Sequence, residues 1–199
     1  MRPIVLASQS RSRAAILAGA GAPFETASSG VDEDAAKAAL IAGGEAGPRE
    51  IALGLAEAKA VAVSALRPQA VVIGADQTLD LGGELRDKAA DLAEARRRLL
   101  ELRGRRHHLH AAVVVAEAGA VTWRSLESPA LRMRDFSEAF LDGYLARNGT
   151  ALLGSVGCYM LEGEGAQLFD EIRGDYFAIL GLPLLPLLAQ LRAMGALAT

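Results

Sequence analysis

The sequence predicts an α/β fold in which a mixed sheet is flanked by helices. Short apolar runs rich in β-branched residues alternate with longer Ala-rich helical patterns, which is the order of strands and helices in α/β proteins. The runs 108–119 and 120–133 are predicted to be two strands paired around Gly119. Because such a hairpin is antiparallel, the sheet is predicted to be mixed rather than purely parallel.

The elements of the N-terminal half follow from apolar runs and from helix ends. We predict strands at "PIVLAS", "PFETASS" and "AVVIGAD", the last a buried run with Asp76 at its C-terminal end. We predict helices at "RSRAAILAGAG", "DEDAAKAALIAGG" and "PREIALGLAEAKAVAVSAL". The first of these helices ends at Gly19 or Gly21, and the third carries Pro48 in its first turn.

The C-terminal half continues the alternation. "ADLAEARRRLLELRG" and "SEAFLDGYLARNG" predict helices, the second with Ser137 as its N-cap. The last 30 or so residues predict a short segment, a turn at 174–175, a buried strand ending at 181–183 and a final helix with Pro186 in its first turn. The arginines of 96–98 and 103–106 are expected on a solvated helix face.

Composition narrows the classes of function. A chain of 199 residues with 51% hydrophobic residues is long enough for a sizeable core, and we predict a single domain over 1–199. A net charge of −3 and an aromatic content of 5% argue against a nucleic-acid polymer as partner. A small anionic ligand remains open, because it needs only a local cluster of positive charge.

Cysteine content and hydropathy bear on the cellular compartment in which the protein is expected. The single cysteine, Cys158, excludes an intrachain disulfide, which suits a reducing cytoplasm. The longest apolar segment, 178–191, is short for a membrane span and is interrupted by Pro183 and Pro186. We therefore expect a cytoplasmic protein with no membrane partner.

The stretch "SQSRSR" lies between the first predicted strand and the first predicted helix. One interpretation is a serine N-cap with exposed arginines. The other is a phosphate site, in which backbone N–H groups at the helix N-terminus and the Ser8 and Ser10 hydroxyls bind an anion. In that case the Arg13 guanidinium pairs with two phosphate oxygens at once.

Acidic residues and lysines offer further candidates, each with a structural alternative. Asp76 is a metal ligand or general base, or else a turn residue. The run 32–34 is most simply a solvated helix N-terminus. Lys59 is expected to extend its ammonium to solvent from an apolar helix, and Lys88 is expected at the surface. His108 and His110 share a strand face, but without a third ligand nearby they do not predict a zinc site.

Seven motifs in register resemble those of the Maf family, and the resemblance covers residues 4–192. The motifs are "LASQSRSR", "VDE", "LAEAKA", "GADQT", "GRRH", "GCYMLEGEGAQLF" and "GDYFAILGLPL". The resemblance implies an ITPase-like fold: a long mixed sheet flanked by helices, with two lobes around a cleft. It also implies a nucleoside triphosphate pyrophosphatase that releases a nucleoside monophosphate and pyrophosphate with Mg²⁺ or Mn²⁺.

The resemblance also assigns roles residue by residue. The substrate-binding Ser-x-Ser-x-x-Arg pattern matches Ser8, Ser10 and Arg13. The remaining matches are Asp76, Lys59 and Lys88 as catalytic residues and Glu33 with Asp76 as metal ligands. Two positions depart from the family pattern: Ala89 replaces the proline after the second lysine, and Ser155 replaces a lysine near Tyr159.

Two positions bear on the nucleotide. Family members that resemble dTTP/UTP enzymes pair Thr with Gln at the positions of Gln77 and Glu162, whereas those that resemble 7-methyl-GTP enzymes pair Gln with Glu. This chain has the second pair. A carboxylate accepts hydrogen bonds, and guanine offers adjacent N1–H and amino donors. The sequence therefore favours 7-methyl-GTP, with dTTP/UTP hydrolysis as the alternative within the family.

A function of another class also follows from the resemblance. Maf proteins are linked to septum formation, so a non-catalytic binding role in cell division is the second hypothesis. The presence of Asp76, Glu33, Arg13 and Lys59 favours the enzyme, because a binding protein has no need of that set. A homodimer is left open.

Overall fold

The computed structural model describes residues 2–44 and 47–198. The strands of this part of the chain form one mixed sheet with the order β2-β1-β3-β5-β7-β8, in which β4 also pairs with β3 and β6 with β5. The strands are β1 (Ile4–Leu6), β2 (Glu25–Thr26), β3 (Val71–Leu81), β4 (Glu84–Arg86), β5 (Arg106–Glu117), β6 (Ala120–Glu127), β7 (Ala130–Met133) and β8 (Phe169–Arg173). The helices are α1 (Arg11–Gly19), α2 (Glu33–Ala42), α3 (Pro48–Leu66), α4 (Leu92–Leu102), α5 (Glu138–Asn148), α6 (Tyr176–Ile179) and α7 (Leu184–Ala193).

The predicted mixed α/β fold is confirmed. In the part of the chain that the structure describes, no helix combines the length and hydropathy that crossing a membrane requires.

The long strand β3 sets the geometry of the site. One edge pairs with antiparallel β5 from Val72 to Asp80. The other edge pairs with parallel β1 at 71–73 and with antiparallel β4 at 79–81. Between these two partners, the residues 74–78 face an opening in the sheet, which is where the motif "GADQT" lies.

Two apolar cores lie on either side of this opening, along the same two strands. One contains Ile73 of β3 and Val113 of β5, with side chains from α1 and α7. The other contains Leu79 of β3 and Leu109 of β5, with side chains from α4 and α5. The sheet thus joins two lobes, as the family resemblance implies, and the opening in β3 lies between them.

Helix α3 packs unusually close to β3. A side chain at Gly74 would overlap the carbonyl oxygen of Ala56, and its Cβ would lie 2.7 Å from the Ala60 nitrogen. Because only glycine permits this approach, the helix brings Lys59 down to the strand next to Asp76. A substitution at Gly74 would therefore separate the two charged side chains as well as the two elements.

The predicted end of β3 is wrong. Asp76 lies in the middle of the strand, which continues through Thr78 and Asp80 to the turn at 82–83. The pairing with β5 holds this polar stretch extended, and its side chains stay buried or half-buried as far as Leu81. Asp76 reaches the cleft through the gap between β1 and β4, rather than from the end of a strand.

The predicted strand before the C-terminal helix is also wrong. The segment forms the one-turn helix α6, which starts where the Asp175 carboxylate accepts a hydrogen bond from the Ala178 N–H at 2.7 Å. Its end is a Schellman turn: Gly181 N–H donates to the Ala178 carbonyl and Leu182 N–H to the Phe177 carbonyl. Gly181 adopts φ +103°, which favours glycine. The strand of this region is β8, where the short segment was predicted.

The prediction of a solvated arginine face on α4 fails at Arg98. Its side chain is buried and donates to the carbonyls of Asp87 at 2.7 Å and Val156 at 3.1 Å. These carbonyls belong to two separate loops, so the guanidinium ties together two segments that border the cleft. The other helix predictions hold, including the cap at Ser137 and Pro186 in the first turn of α7.

Candidate active site

A cleft of about 1030 Å³ lies at the opening in the sheet, between the two lobes. Every site residue predicted from the sequence lines it: Ser8, Ser10, Arg13, Glu33, Lys59, Asp76, Gln77, Lys88 and Glu162. These residues come from positions spread over more than 150 residues of the chain. The residues that the family resemblance matched to separate motifs therefore line one cavity.

Lys59 is the centre of the charged group. Its ammonium donates to Asp76 Oδ1 at 2.7 Å and lies 2.9 Å from Glu33 Oε1. The side chains of Lys59 and Asp76 are only 6% and 11% exposed, whereas that of Glu33 is 57% exposed. The expectation that Lys59 extends to solvent is therefore wrong, and the two carboxylates converge on one buried cation.

Helix α2 presents Glu33 to this group. The Asp32 side chain caps the helix by accepting a hydrogen bond from the Ala35 N–H at 3.0 Å. Glu33, the first helical residue, then points towards Lys59, while the exposed Asp34 lies 3.5 Å from Lys37. The run of acidic residues is thus a helix N-terminus and a site component at once.

The N-cap interpretation of "SQSRSR" is confirmed. Ser10 is the N-cap of α1, and its hydroxyl accepts from the Arg13 N–H at 3.4 Å. The Ser10 N–H donates to the buried Ser8 hydroxyl at 3.2 Å. The start of α1 therefore faces the cleft with backbone N–H groups and hydroxyls, an arrangement that suits a phosphate.

The Arg13 side chain is held by two acceptors that are far apart in the sequence. Its Nε donates to the Gly181 carbonyl at 2.9 Å and its Nη1 to the Ser8 hydroxyl at 3.2 Å. Burial lowers the pKa of Arg13, against the charges of Asp76 and Glu33, which raise it. Arginine still remains charged at neutral pH, so the guanidinium is a fixed cation beside the acidic pair.

Gln77 faces away from Asp76, because successive side chains of a strand point to opposite faces. Its Nε2 donates to the carbonyl oxygens of Ala178 at 2.8 Å and Ile179 at 3.0 Å, both in α6. The side chain thereby connects β3 to the segment that carries Gly181.

Lys88 and Glu162 lie exposed on the walls of the cleft. Beside Lys88, the Asp87 carboxylate accepts from Lys37 of α2 at 2.8 Å, and this hydrogen bond raises the pKa of Lys37. The Lys37–Asp87 pair joins α2 to the segment after β4, next to the site. Sequence reasoning missed it, since neither residue belongs to a motif.

Tyr159 forms part of the wall that leads to Glu162. Its hydroxyl lies 2.8 Å from His107 Nε2, and both residues are buried. Desolvation, with a smaller contribution from His108, lowers the pKa of His107 to about 4, so the ring is neutral at physiological pH. The motifs "GRRH" and "GCYMLEGEGAQLF" thus meet in one buried hydrogen bond. Ser155, at the departure from the family pattern, also lines the cleft.

The acidic pair is compatible with the divalent cation that the family implies. Mg²⁺ usually takes one or two protein carboxylates and completes its shell with water and substrate phosphates. Glu33 and Asp76 already approach a common cation, the Lys59 ammonium. Among the described residues, no group of three or more His, Cys, Asp or Glu side chains is arranged to hold a metal. The donors present therefore fit a cation that shares its ligands with a triphosphate.

The chain is similar to known proteins over nearly its whole length. A family model described as Maf-like protein matches residues 3–194. The "Nucleoside triphosphate pyrophosphatase" of Caulobacter vibrioides is 62% identical over 197 residues, which cover 99% of this chain and 98% of that protein. The "7-methyl-GTP pyrophosphatase" of Brucella abortus biovar 1 is 50% identical over 189 residues, 95% of this chain and 94% of the relative. The protein of the same name from Mesorhizobium japonicum is 50% identical over 194 residues, 98% of this chain and 97% of the relative.

Proposed function

The chain belongs to the Maf family, and we propose that it is a nucleoside triphosphate pyrophosphatase that prefers 7-methyl-GTP. The observation that carries the proposal is the buried Lys59–Asp76 pair, with the exposed Glu33 carboxylate next to it and the cation of Arg13 nearby. Phosphoanhydride hydrolysis requires mainly charge neutralisation and an oriented water molecule. This group offers cations for the phosphates and a carboxylate for the water.

Each residue of the site has a separate role in the proposed reaction. Ser8, Ser10 and the N-terminus of α1 bind phosphate oxygens, and Arg13 offsets their charge. Asp76 takes a proton from the attacking water as the bond between the α- and β-phosphates breaks. The products are a nucleoside monophosphate and pyrophosphate.

Two lysines of the cleft stabilise the charge that grows on the phosphates. Lys59 lies against Asp76, and the exposed Lys88 side chain extends from the cleft lining to the pyrophosphate. A divalent metal held by Glu33 and Asp76 would supply further positive charge at the phosphate oxygens.

The identity of the products tests the reaction class. We expect purified protein with Mg²⁺ or Mn²⁺ to release one pyrophosphate and one monophosphate from each triphosphate, as measured by phosphorus NMR. Orthophosphate and a nucleoside diphosphate as products would place the cleavage at the other anhydride bond and contradict the proposal.

The base preference rests on Glu162 and on the relatives named 7-methyl-GTP pyrophosphatase. Glu162 is exposed at the cleft wall, where its carboxylate can accept hydrogen bonds from a guanine edge. Methylation at N7 makes the base cationic and strengthens those donors. Thymine and uracil present carbonyls beside their N–H, and a carboxylate repels these.

The variant Glu162→Gln tests this assignment. A hydrogen bond to a charged group contributes about 1.5–3 kcal/mol, so kcat/KM for 7-methyl-GTP should fall by roughly tenfold or more. The value for dTTP or UTP should hold or rise, because an amide both donates and accepts.

The matched control is Glu164→Gln, two residues further along the same loop. The Glu164 carboxylate is bound by Arg147 at 2.9 Å, and the residue is not among the described residues that line the cleft. It should leave the ratio of purine to pyrimidine hydrolysis unchanged. An unchanged ratio in Glu162→Gln as well would remove Glu162 from the base site.

A further inference from the structure

We infer that Gln77 is a positioning residue for the phosphate site: it fixes the end of α6, whose Gly181 carbonyl orients the Arg13 guanidinium. The inference deepens the proposed function and depends on it for the role of Arg13. It differs from the expectation that the residue after Asp76 reads the base directly. The argument rests on the hydrogen bonds of one amide and one carbonyl.

The Gln77 amide has no donor left for a nucleotide base. A primary amide has two N–H donors, and both are used by the carbonyls of Ala178 and Ile179. The opposite orientation of the amide would turn Oε1 towards two carbonyl oxygens, which would repel it. The hydrogen-bond network therefore fixes which atom faces α6.

Helix α6 depends on this support. It is only four residues long, so its carbonyls have few partners within the helix. Gln77 bonds to two of them, and the Schellman turn at Gly181 fixes the chain that follows. A strand in the centre of the sheet thus holds a short helix that has little stability of its own.

Gly181 is the point at which α6 and Arg13 meet. Its carbonyl accepts from Arg13 Nε at 2.9 Å, and a Cβ at this position would lie 3.6 Å from Arg13 Nε and 3.8 Å from Gln77 Oε1. The end of α6, the Gln77 amide and the guanidinium therefore lie close together around one glycine.

The two acceptors of Arg13 determine how its guanidinium is turned. The Gly181 carbonyl accepts from Nε and the Ser8 hydroxyl accepts from Nη1, so two separate acceptors define the plane of the group. A planar guanidinium binds phosphate best when two N–H groups face two oxygens. If α6 shifts, the Nε bond is lost and this alignment with it.

The consequence is that a change at position 77 acts on phosphate binding for every nucleotide. Inorganic tripolyphosphate, which has no base, is therefore the decisive probe. Two variants remove the donors at similar side-chain size: Gln77→Glu, which places a carboxylate against two carbonyls, and Gln77→Met, which is apolar.

We expect both variants to weaken the binding of tripolyphosphate with Mg²⁺ by about tenfold, as measured by calorimetry, since a lost or unsatisfied hydrogen bond has effects of that order. The kcat/KM values for 7-methyl-GTP, GTP, dTTP and UTP should fall together, with their ratios unchanged. Altered ratios with wild-type affinity for tripolyphosphate would show that Gln77 reads the base, and wild-type behaviour in both assays would also overturn the inference.

A double-mutant cycle with Arg13→Ala separates positioning from general loss of structure. In the Arg13→Ala background, Gln77→Met should cause little further loss of tripolyphosphate affinity, because the group it orients is absent. Additive losses would contradict the inference. If the wild type released no pyrophosphate from any nucleotide, the proposed function would fail, whereas the binding cycle would still report whether Gln77 acts through Arg13.

Discussion

Replacement of Asp76 by asparagine should lower kcat by about a hundredfold or more for every nucleotide. Asparagine keeps the size of the side chain and can still accept the hydrogen bond from Lys59. It cannot take a proton from water, and it offers a metal no negative charge. The loss should be measured in kcat under saturating substrate and Mg²⁺, with products separated to detect slow turnover.

The fold should survive this change. Lys59 keeps its second partner, Glu33, 2.9 Å away, so the ammonium is not left alone. Asp80→Asn is a suitable control, because it removes a carboxylate from the same face of β3 at a position that is not among the described residues lining the cleft. Turnover near the wild-type rate in a folded Asp76→Asn protein would contradict the role given to Asp76.

Much of the fold could be predicted because local patterns encode it. The cap at Ser137 and the proline in the first turn of α3 each follow from residues within one turn of a helix. The continuation of β3 past Asp76 could not be predicted in the same way. Its sequence resembles a turn, and only the pairing with β5 keeps it extended.

In the site, too, some features could be predicted from local sequence and others could not. Short motifs identify the residues that line the cleft, but they do not say what holds each one. Lys59 pairs with Asp76 across 17 positions, Arg98 reaches Val156 across 58, and Arg13 reaches Gly181 across 168. Such contacts depend on how elements pack, which has no local signature in a single sequence. The conspicuous motif "GDYFAILGLPL" was the available signal for Gly181, but it did not indicate that a backbone carbonyl was the functional atom.

Replacement of Lys59 by methionine should cost both stability and activity. Methionine fills a similar volume, but it leaves the nearly buried Asp76 carboxylate without its cation. Removal of one partner of a buried ion pair typically lowers the free energy of unfolding by about 3–5 kcal/mol. Turnover should fall for all bases alike, because the lost charge faces phosphate rather than base. Urea unfolding and kcat/KM for a purine and a pyrimidine triphosphate measure the two effects.

The double variant Lys59→Met with Asp76→Asn separates the two effects. Since a neutral amide is less costly to bury than an unpaired carboxylate, the double variant should be more stable than Lys59→Met alone, while its activity stays lost. Stability would then depend on whether the buried charges balance, and activity on whether both charges are present. If Lys59→Met were as stable as the wild type, the pair would be solvated rather than buried. If its activity fell for one base only, Lys59 would belong to the base site instead of the phosphate site.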